Sequence, residues 1–333
     1  DDDRNQEAKQ ADPEDIPAEK EPVVEERSIK GVDPSKADAV ILAPGLAYEV
    51  LIRWGDPISE NDTFGFNNDF LCFVPTEGNN EGILWANHEY IDQRFIAGSD
   101  DYLLKSLDQV NKEMYNVGGS LVHVRKEGES WKVVQDHPDN KRITGHTMIP
   151  FNWDSPVAGA TEAMGTLGNC SGGITPWGTI LTCEENYDSF YGETVYRENG
   201  IYREASHYKW EKFHGNPPEH YGWVVEVDPK TGDAQKHVAI GRFAHECATM
   251  HKLDDGRMVV YSGDDSNDEF MYKFIGSEPN SMKEGTLYVA NLEKGEWISL
   301  DYENNDQLKA NFKDQTDVLV RARAAARMLG ATP

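Results

Sequence analysis

The sequence is poor in basic residues. It holds 32 Lys and Arg against 59 Asp and Glu over 333 residues, a formal net charge of −27 at pH 7. Phosphate backbones and anionic lipid headgroups would repel such a chain, so nucleic acid is excluded as an expected partner. Cations are the partners that the charge favours, although most acidic surfaces are simply solvated.

Long apolar runs are also absent from the sequence. No stretch of about 18 apolar residues occurs, so no segment is expected to insert into a membrane. The chain begins Asp1-Asp2-Asp3, without a basic and apolar leader. A start of this kind fits an exported protein whose leader has been removed and a cytoplasmic protein equally well.

Cysteines are few and widely spaced, at Cys72, Cys170, Cys183 and Cys247. They form no Cys-x-x-Cys pair, which argues against a zinc knuckle or a thioredoxin-like motif, and disulfides are not indicated. The sequence also lacks a Gly-x-Ser-x-Gly elbow, a His-Glu-x-x-His motif and a Walker loop. Serine-nucleophile and nucleotide-hydrolysis functions are therefore disfavoured.

Helical periodicity is scarce and strand patterns are common. We expect residues 1–36 to form a flexible acidic arm, and residues 37–333 to form one all-β domain. Helices are expected only at residues 103–114 and 317–329. Three segments alternate apolar and polar residues, turn at a Gly, and alternate again, which predicts β-hairpins. They are 119–125 with 131–134, 222–228 with 235–240, and 285–291 with 296–300.

The densest group of candidate ligands lies between Gly168 and Asn186. Cys170 sits among glycines that permit tight turns, and Glu184, Glu185 and Asn186 follow a predicted strand. A thiolate suits iron or another transition metal, whereas carboxylate and amide oxygens suit calcium or ferric iron. For an isolated match, a small buried cysteine beside solvated glutamates is the more common explanation.

Three weaker groups of candidates lie elsewhere. Glu246 follows His245 after a predicted strand, and Asp264 opens an acidic turn that lacks the spacing of an EF-hand. Asn87, His88 and Glu89 end another strand, where they could bind a metal, orient a ligand or cap the strand. A structural role is the more common one for a His-Glu pair such as His245 and Glu246, and it is about as common as a ligand role for the other two groups.

Taken in order, these segments resemble the PhoX alkaline phosphatases from about residue 37 onward. A series of motifs in one order is far more specific than any single motif. The matching segments are Leu51-Ile-Arg-Trp-Gly-Asp-Pro57, Phe64-Gly-Phe-Asn-Asn-Asp-Phe70, Asn87-His-Glu-Tyr90, Asn169-Cys-Ser-Gly-Gly-Ile-Thr-Pro-Trp-Gly178, Cys183-Glu-Glu-Asn186, Gly241-Arg-Phe-Ala-His-Glu246, Gly263-Asp-Asp265 and Glu284-Gly-Thr-Leu-Tyr-Val-Ala290.

The resemblance implies a six-bladed β-propeller that hydrolyses phosphate monoesters at a cluster of Fe(III) and Ca2+ ions. It also implies export by the twin-arginine route to the periplasm or the exterior, and we expect a monomer. The iron cysteine of the family falls on Cys170, and family glutamates fall on Glu185 and Glu246. Glu184, Asn186 and Asp264 are weaker correspondences. No catalytic or substrate-binding side chain is assigned.

Family members continue past Gly-Ala-Thr-Pro333, so we expect this chain to be the N-terminal portion of an incomplete propeller. The remaining part of the family fold closes the ring and supplies a phosphate-binding arginine and a further acidic ligand. Activity of the chain alone is expected to be poor, because a metal site that lacks ligands loses affinity. Two alternatives are a calcium-dependent lactonase-type propeller, which needs no cysteine ligand, and a non-catalytic propeller that binds proteins.

Overall fold

A computed structural model describes residues 29–99, 101, 103–197 and 199–333. The chain divides into two compact units, one ending at Glu49 and one spanning Val50–Pro333. Within residues 29–49 the described backbone forms bends and one turn, without a helix or strand. Most of the predicted arm, residues 1–28, lies outside the described residues. The boundary at residue 36 stays a prediction.

The second unit is built mainly from β-strands. In chain order they are β1 (Asn68–Glu77), β2 (Glu81–His88), β3 (Gly118–Glu127), β4 (Ser130–Val133), β5 (Lys141–Ile143), β6 (Met148–Pro150), β7 (Glu162–Met164), β8 (Asn169–Ile174), β9 (Ile180–Glu184), β10 (Glu193–Arg197), β11 (Gly200–Glu204), β12 (Val224–Val227), β13 (Ala234–His237), β14 (Thr249–Lys252), β15 (Arg257–Gly263), β16 (Met271–Pro279), β17 (Gly285–Asn291) and β18 (Glu296–Ser299).

These strands form three larger antiparallel sheets and two small hairpins. Sheet 1 has the order β1-β2-β3-β4, with β5 also paired to β3. Sheet 2 has the order β13-β12-β9-β8, and sheet 3 runs β14-β15-β16-β17-β18. The hairpins are β6-β7 and β10-β11. Antiparallel sheets of four or five strands are the unit from which propellers are assembled.

The three predicted hairpins correspond to β3-β4, β12-β13 and β17-β18. Each pairs two alternating segments across a short turn, as the period of two requires. One boundary was wrong, because residues 238–240 form a 3₁₀ turn and do not extend β13. The three residues of that turn are apolar and buried. An apolar sequence therefore does not distinguish this turn from a strand.

Helices are short and lie between or after the sheets. They are α1 (Gln93–Ile96), α2 (Leu107–Asn116), α3 (Asp188–Tyr191), α4 (Asp306–Asn311), α5 (Gln315–Val320) and α6 (Ala322–Met328).

Both helix predictions need correction at their ends. The first helix starts at Leu107 because Ser106 and Gln109 form a capping box there. The predicted terminal helix is divided at Arg321, whose backbone leaves the helical region at φ −110° and ψ 38°. The Arg321 guanidinium lies over the rings of Tyr196 and Phe312, 4.4 Å and 4.6 Å from their centres. Helices α1, α3 and α4 were not predicted from the sequence.

Sheets 1 and 2 are in close contact at Gly172 of β8, beside Phe70 of β1. A Cβ atom at this position would overlap the carbonyl oxygen of Leu181 and the ring of Phe70. The pairing of β8 with β9 shifts register between Asn169 and Gly172. This β-bulge turns the segment that carries Cys170 out of the regular ladder.

We expect Gly172→Ala to destabilise the fold by about 1–3 kcal/mol, because the added methyl group forces β8 away from Leu181 and Phe70. Urea unfolding measures the loss. Gly215→Ala is the matched control, since a Cβ at Gly215 meets no neighbouring atom within 4 Å. Equal stability of the two variants would contradict the close approach.

Candidate metal centre

Acidic side chains from all three sheets converge at one place. Asp69 lies at the start of β1, and Glu89 follows the end of β2. Cys170 lies near the start of β8, Glu185 follows β9, and Asp265 follows β15 shortly after Gly263. In an antiparallel sheet the start of one strand lies beside the end of its neighbour. Residues at such starts and ends can therefore meet at one edge of the sheet.

The closest group consists of Asp69, Glu89 and Cys170. The Cys170 Sγ and one carboxylate oxygen from each acid all lie within 4.8 Å of one another. The pKa of the Cys170 thiol is raised, first by burial, then by its hydrogen bond with Asp69 and by the charges of Glu185 and Glu89. A thiolate at this position therefore needs a cation beside it.

Glu185 joins this group and extends it toward Asp265. The Glu185 side chain makes hydrogen bonds with Cys170, Asp265 and Asn186. Burial, followed by the contact with Asp265, raises the pKa of Glu185. Two carboxyl groups in hydrogen-bond contact require either a shared proton or a cation between them.

Glu89 is strongly affected by its surroundings. Its pKa is raised to about 7 by burial and by the charges of Asp69 and Glu185, while a hydrogen bond with Tyr90 acts in the opposite direction. Burial and the charges of Glu89 and Glu185 also raise the pKa of the Tyr90 hydroxyl. Without a cation, the centre therefore holds protons near neutral pH.

Asn87 fixes the segment that carries Cys170. Its amide group donates hydrogen bonds to the carbonyl oxygens of Cys170 at 2.6 Å and Ser171 at 3.1 Å. Its side-chain oxygen accepts from Trp85 Nε1 at 2.6 Å and from Thr182 Oγ1 at 2.8 Å. Asn87 is fully buried, so this one side chain ties β2 to β8 and β9.

A cavity of about 120 Å³ adjoins the centre. It is lined by Glu185, Asn186, Tyr187, Asp188, Ala244, Asp265, Ser266 and Arg323. Arg323, from α6, supplies the positive charge on this lining. It makes a bidentate ion pair with Asp264, with Nε and Nη2 at 2.6 Å and 2.7 Å from the two carboxylate oxygens.

The predicted ligand Asp264 is thus paired with Arg323, and its neighbour Asp265 contacts Glu185. The Asp264 side chain is fully buried, and the guanidinium occupies both of its oxygens. Of the two acids in Gly263-Asp-Asp265, Asp265 is therefore the one that contacts the centre. Asp264 positions the arginine.

The predicted ligand Glu184 points into the interior, away from Cys170. One carboxylate oxygen accepts from Lys236 Nζ at 2.7 Å and the other from the N–H groups of Gly222 at 2.9 Å and Trp223 at 3.0 Å. Both side chains of the ion pair are fully buried. Side chains alternate along a strand, so Glu184 faces the protein while Glu185 faces the centre.

The predicted ligand Glu246 lies beside the centre through its backbone. Its carbonyl oxygen accepts the N–H of Ser171 at 3.1 Å, which places the Glu246 segment next to Cys170. The Glu246 residue is exposed. Its role as a ligand stays a prediction, as do those of Cys170, Glu185 and Asn186.

Asp69 and Asp265 were not singled out as ligands from the sequence, and Glu89 was left open between several roles. All three lie inside segments that carried the resemblance: Phe64–Phe70, Asn87–Tyr90 and Gly263–Asp265. The feature that these acids share is their position at the end of a strand. Asp69 lies at the start of β1, whereas Glu89 and Asp265 follow the ends of β2 and β15.

Together these residues form a mixed set of ligand atoms. A thiolate, several carboxylates and the Asn186 amide oxygen match the preferences of a transition metal and of a hard cation together. The raised pKa values show that the carboxyl groups repel one another in the metal-free fold. The arrangement is suited to more than one positive ion.

The model of the alkaline phosphatase PhoX family matches residues 28–333. The chain belongs to the PhoX alkaline phosphatase family. A solved structure, PhoX of Pseudomonas fluorescens in complex with vanadate, a transition-state analogue, is 30% identical to the chain with a TM-score of 0.79. The match covers 91% of this chain and 64% of that one. A search of curated proteins found no match.

Membership of the PhoX family, together with the structural match, confirms the predicted fold class. The three large sheets correspond to part of a propeller-type fold, because the chain spans 64% of the matched PhoX chain. In the described part of the chain, no helix has both the length and the apolar character needed to cross a membrane. All four cysteines are free thiols.

The buried pair behind the centre gives a stability prediction. We expect Lys236→Met to cost about 3–5 kcal/mol, because it leaves the Glu184 carboxylate buried without its counter-ion. The double variant Glu184→Gln with Lys236→Met should recover part of this loss in urea unfolding. Lys230→Met, at an exposed position, is the control and should change stability by less than about 0.5 kcal/mol.

A second prediction concerns the pH dependence of the metal-free protein. The folded pKa of Glu89 is about 7, above its ordinary value of 4.5. Its protonated form therefore favours folding at low pH, and this contribution is lost as pH rises from about 4.5 through 7. Glu89→Gln should be more stable than the parent at pH 8, by on the order of 2 kcal/mol, and similar to it at pH 4.

Unfolding in chelator at the two pH values measures the difference. Groups that titrate in both proteins contribute equally to the two free energies of unfolding, so they do not affect the difference between variant and parent. If Glu89→Gln were destabilising by the same amount at pH 4 and pH 8, the carboxyl group would not be held protonated by its neighbours.

Proposed function

We propose that this chain forms the metal-binding part of a phosphatase that hydrolyses phosphate monoesters. The observation that carries the proposal is the meeting of Asp69, Glu89, Cys170 and Glu185 from two sheets, with Asp265 from the third. Family membership supports the same activity, and the vanadate complex of the P. fluorescens relative points to phosphoryl transfer.

Fe(III) and Ca2+ are the metals that the ligand set favours. Cys170 would hold iron, since soft sulfur prefers a transition metal, and the carboxylates of Asp69, Glu89 and Glu185 would complete sites for iron and calcium. Asn186 supplies a neutral oxygen suited to calcium. When bound, such ions orient a phosphate group and neutralise charge on its oxygens.

The chain's own residues would place the substrate in the adjoining cavity. Arg323 is held by Asp264 through Nε and Nη2, which leaves its Nη1 to donate to a phosphate oxygen. Asn186 and Ser266 on the same lining can also donate hydrogen bonds to oxygen. The small volume suits a phosphate group and leaves the organic part of the ester toward solvent.

We further propose that the protein is exported to the periplasm or the exterior by the twin-arginine route, and that it acts as a monomer. The family resemblance supports export. Calcium is abundant outside the cytoplasm, and the cluster of carboxylates is suited to it. Free cysteines, one of them a proposed ligand, are consistent with a thiol that is occupied by metal.

Cys170→Ser tests the metal assignment directly. We expect the variant, purified without chelator, to lose its iron and to show at least a 100-fold loss of p-nitrophenyl phosphate hydrolysis, because a hydroxyl group is a poor substitute for a thiolate ligand. Elemental analysis and a phosphatase assay are the measurements. Cys72→Ser, whose side chain on β1 packs against an apolar cluster, is the control and should retain iron.

Calcium without iron in the parent protein, together with a harmless Cys170→Ser, would overturn the proposal and favour a lactonase-type hydrolase. Metal loading with no hydrolysis of phosphate esters would favour a binding module if the full-length protein behaved in the same way, since the chain alone is expected to be poorly active. Stripping calcium while activity is followed separates the two metals.

A further inference from the structure

A second group of metal-ligand side chains lies on sheet 1. His123 projects from β3, and His137 and Asp139 lie in the loop that follows β4. The His123 Nδ1 is 3.1 Å from Asp139 Oδ2, and the His137 Nδ1 is 3.3 Å from the same oxygen. One ligand atom from each residue lies within 4.8 Å of the others.

Each ring nitrogen of His123 faces a carboxylate. Its Nε2 is 2.8 Å from Glu81 Oε1 and its Nδ1 is 3.1 Å from Asp139 Oδ2. Glu81 is held by a bidentate contact with Arg125, both distances being 2.7 Å. An ionised carboxylate only accepts, so Nε2 donates to Glu81, and a cation bound beside Asp139 would replace the proton on Nδ1.

His137 brings a second imidazole nitrogen to the same carboxylate. Its Nδ1 accepts the backbone N–H of Asp139 at 3.3 Å, so this nitrogen carries no proton. It also lies 3.3 Å from Asp139 Oδ2. One nitrogen of each imidazole therefore lies beside a single carboxylate oxygen, which is the donor set of a metal site.

The loop is held in place by Asn140 without the help of an ion. Its side-chain oxygen accepts the N–H of His123 at 2.6 Å, and its amide group donates to the carbonyl oxygens of Ile58 at 2.7 Å and Val134 at 2.9 Å. His123 is almost fully buried, whereas the side chains of His137 and Asp139 are about one-quarter exposed. The three side chains thus lie close together without an ion, with one side open to water.

We propose that His123, His137 and Asp139 bind a divalent transition-metal ion, with Zn2+ as the best match. Two imidazoles and one carboxylate are a common zinc set, with water at the fourth position. A carboxylate behind the ligating histidine, the place of Glu81, is the usual partner of such a ring. Calcium prefers sites made of oxygen atoms alone.

This site is separate from the centre around Cys170. His88 pairs with Gly118, and Ile83 pairs with His123, along β2 and β3. The two positions are five residues apart, so His123 lies about 17 Å along the strand from the end that carries Glu89. The ion would join the loop after β4 to the sheet at a distance from the proposed chemistry.

Binding requires one ring to move. The rings of His123 and His137 are stacked, with centres 3.6 Å apart and planes inclined by 22°. A metal lies near the plane of each imidazole that binds it, and one ion cannot satisfy two nearly parallel rings. His137 lies in a loop and is partly exposed, so its ring is the one that turns.

Zinc binding to the chelator-treated chain tests the proposal, with parent, His137→Asn, Asp139→Asn and His251→Asn compared. His251 is an exposed histidine on β14 and serves as the control. Parent and His251→Asn should each bind one equivalent of Zn2+ more than the other two, measured by calorimetry and elemental analysis. Loss of a ligand should weaken this equivalent at least 100-fold. Any zinc bound around Cys170 is common to all four proteins and cancels.

Two further measurements separate a metal site from a proton site. X-ray absorption of the zinc-loaded Cys170→Ser protein should show histidine nitrogens, and NMR should show the His137 ring shifting on addition of Zn2+. Unfolding without zinc should be nearly unchanged by His137→Asn, which shows that the variant folds. Equal zinc binding by all four proteins, or histidine signals that respond to pH but not to Zn2+, would overturn the proposal.

Discussion

Repulsion among like charges is the constraint around which this fold is arranged. Glu89 and Glu185 lie beside Asp69 and the Cys170 thiol, where burial and neighbouring charges raise the pKa of both glutamates. Left free, such side chains would separate. They stay together because each is attached to the end of a strand whose position is fixed by the packing of a whole sheet. The repulsion that remains is the driving force for taking up cations.

The supports for this arrangement are polar and lie just behind it. Asn87 uses all four of its hydrogen-bonding positions to join sheets 1 and 2 around the Cys170 segment. Glu184, paired with Lys236, fixes the end of β9 from which Glu185 projects. These buried groups are fully bonded, which makes them rigid and costly to disturb. The candidate metal centre thus rests on a layer of hydrogen-bonded and ion-paired polar groups.

Much of the fold could be predicted from the sequence, because alternating patterns and glycine turns are local signals. The hairpins β3-β4, β12-β13 and β17-β18 follow from them directly. The division of the terminal helix at Arg321 could not be predicted, since it accompanies ring contacts with Tyr196 and Phe312. Such contacts are set by tertiary structure and leave no trace in helical periodicity.

The centre was predictable as a region and less so residue by residue. Cys170 and Glu185 were found because they lie in an unusual run of glycines and acids. Glu184 and Glu185 are adjacent acids, and so are Asp264 and Asp265. Which acid of each pair faces the centre depends on the orientation of the strand end, and the sequence does not reveal this orientation. His123, His137 and Asp139 follow no recognised spacing, so only their folded positions bring them to notice.

The pairing of Arg323 with Asp264 connects two parts of the chain 59 residues apart. Asp264 is fully buried, so its charge depends on a guanidinium delivered by α6. Fraying of that short helix would leave the charge of Asp264 without its partner, beside the acids that already repel one another. Local order in α6 and cation occupancy of the centre are therefore thermodynamically linked, and each should protect the other against unfolding.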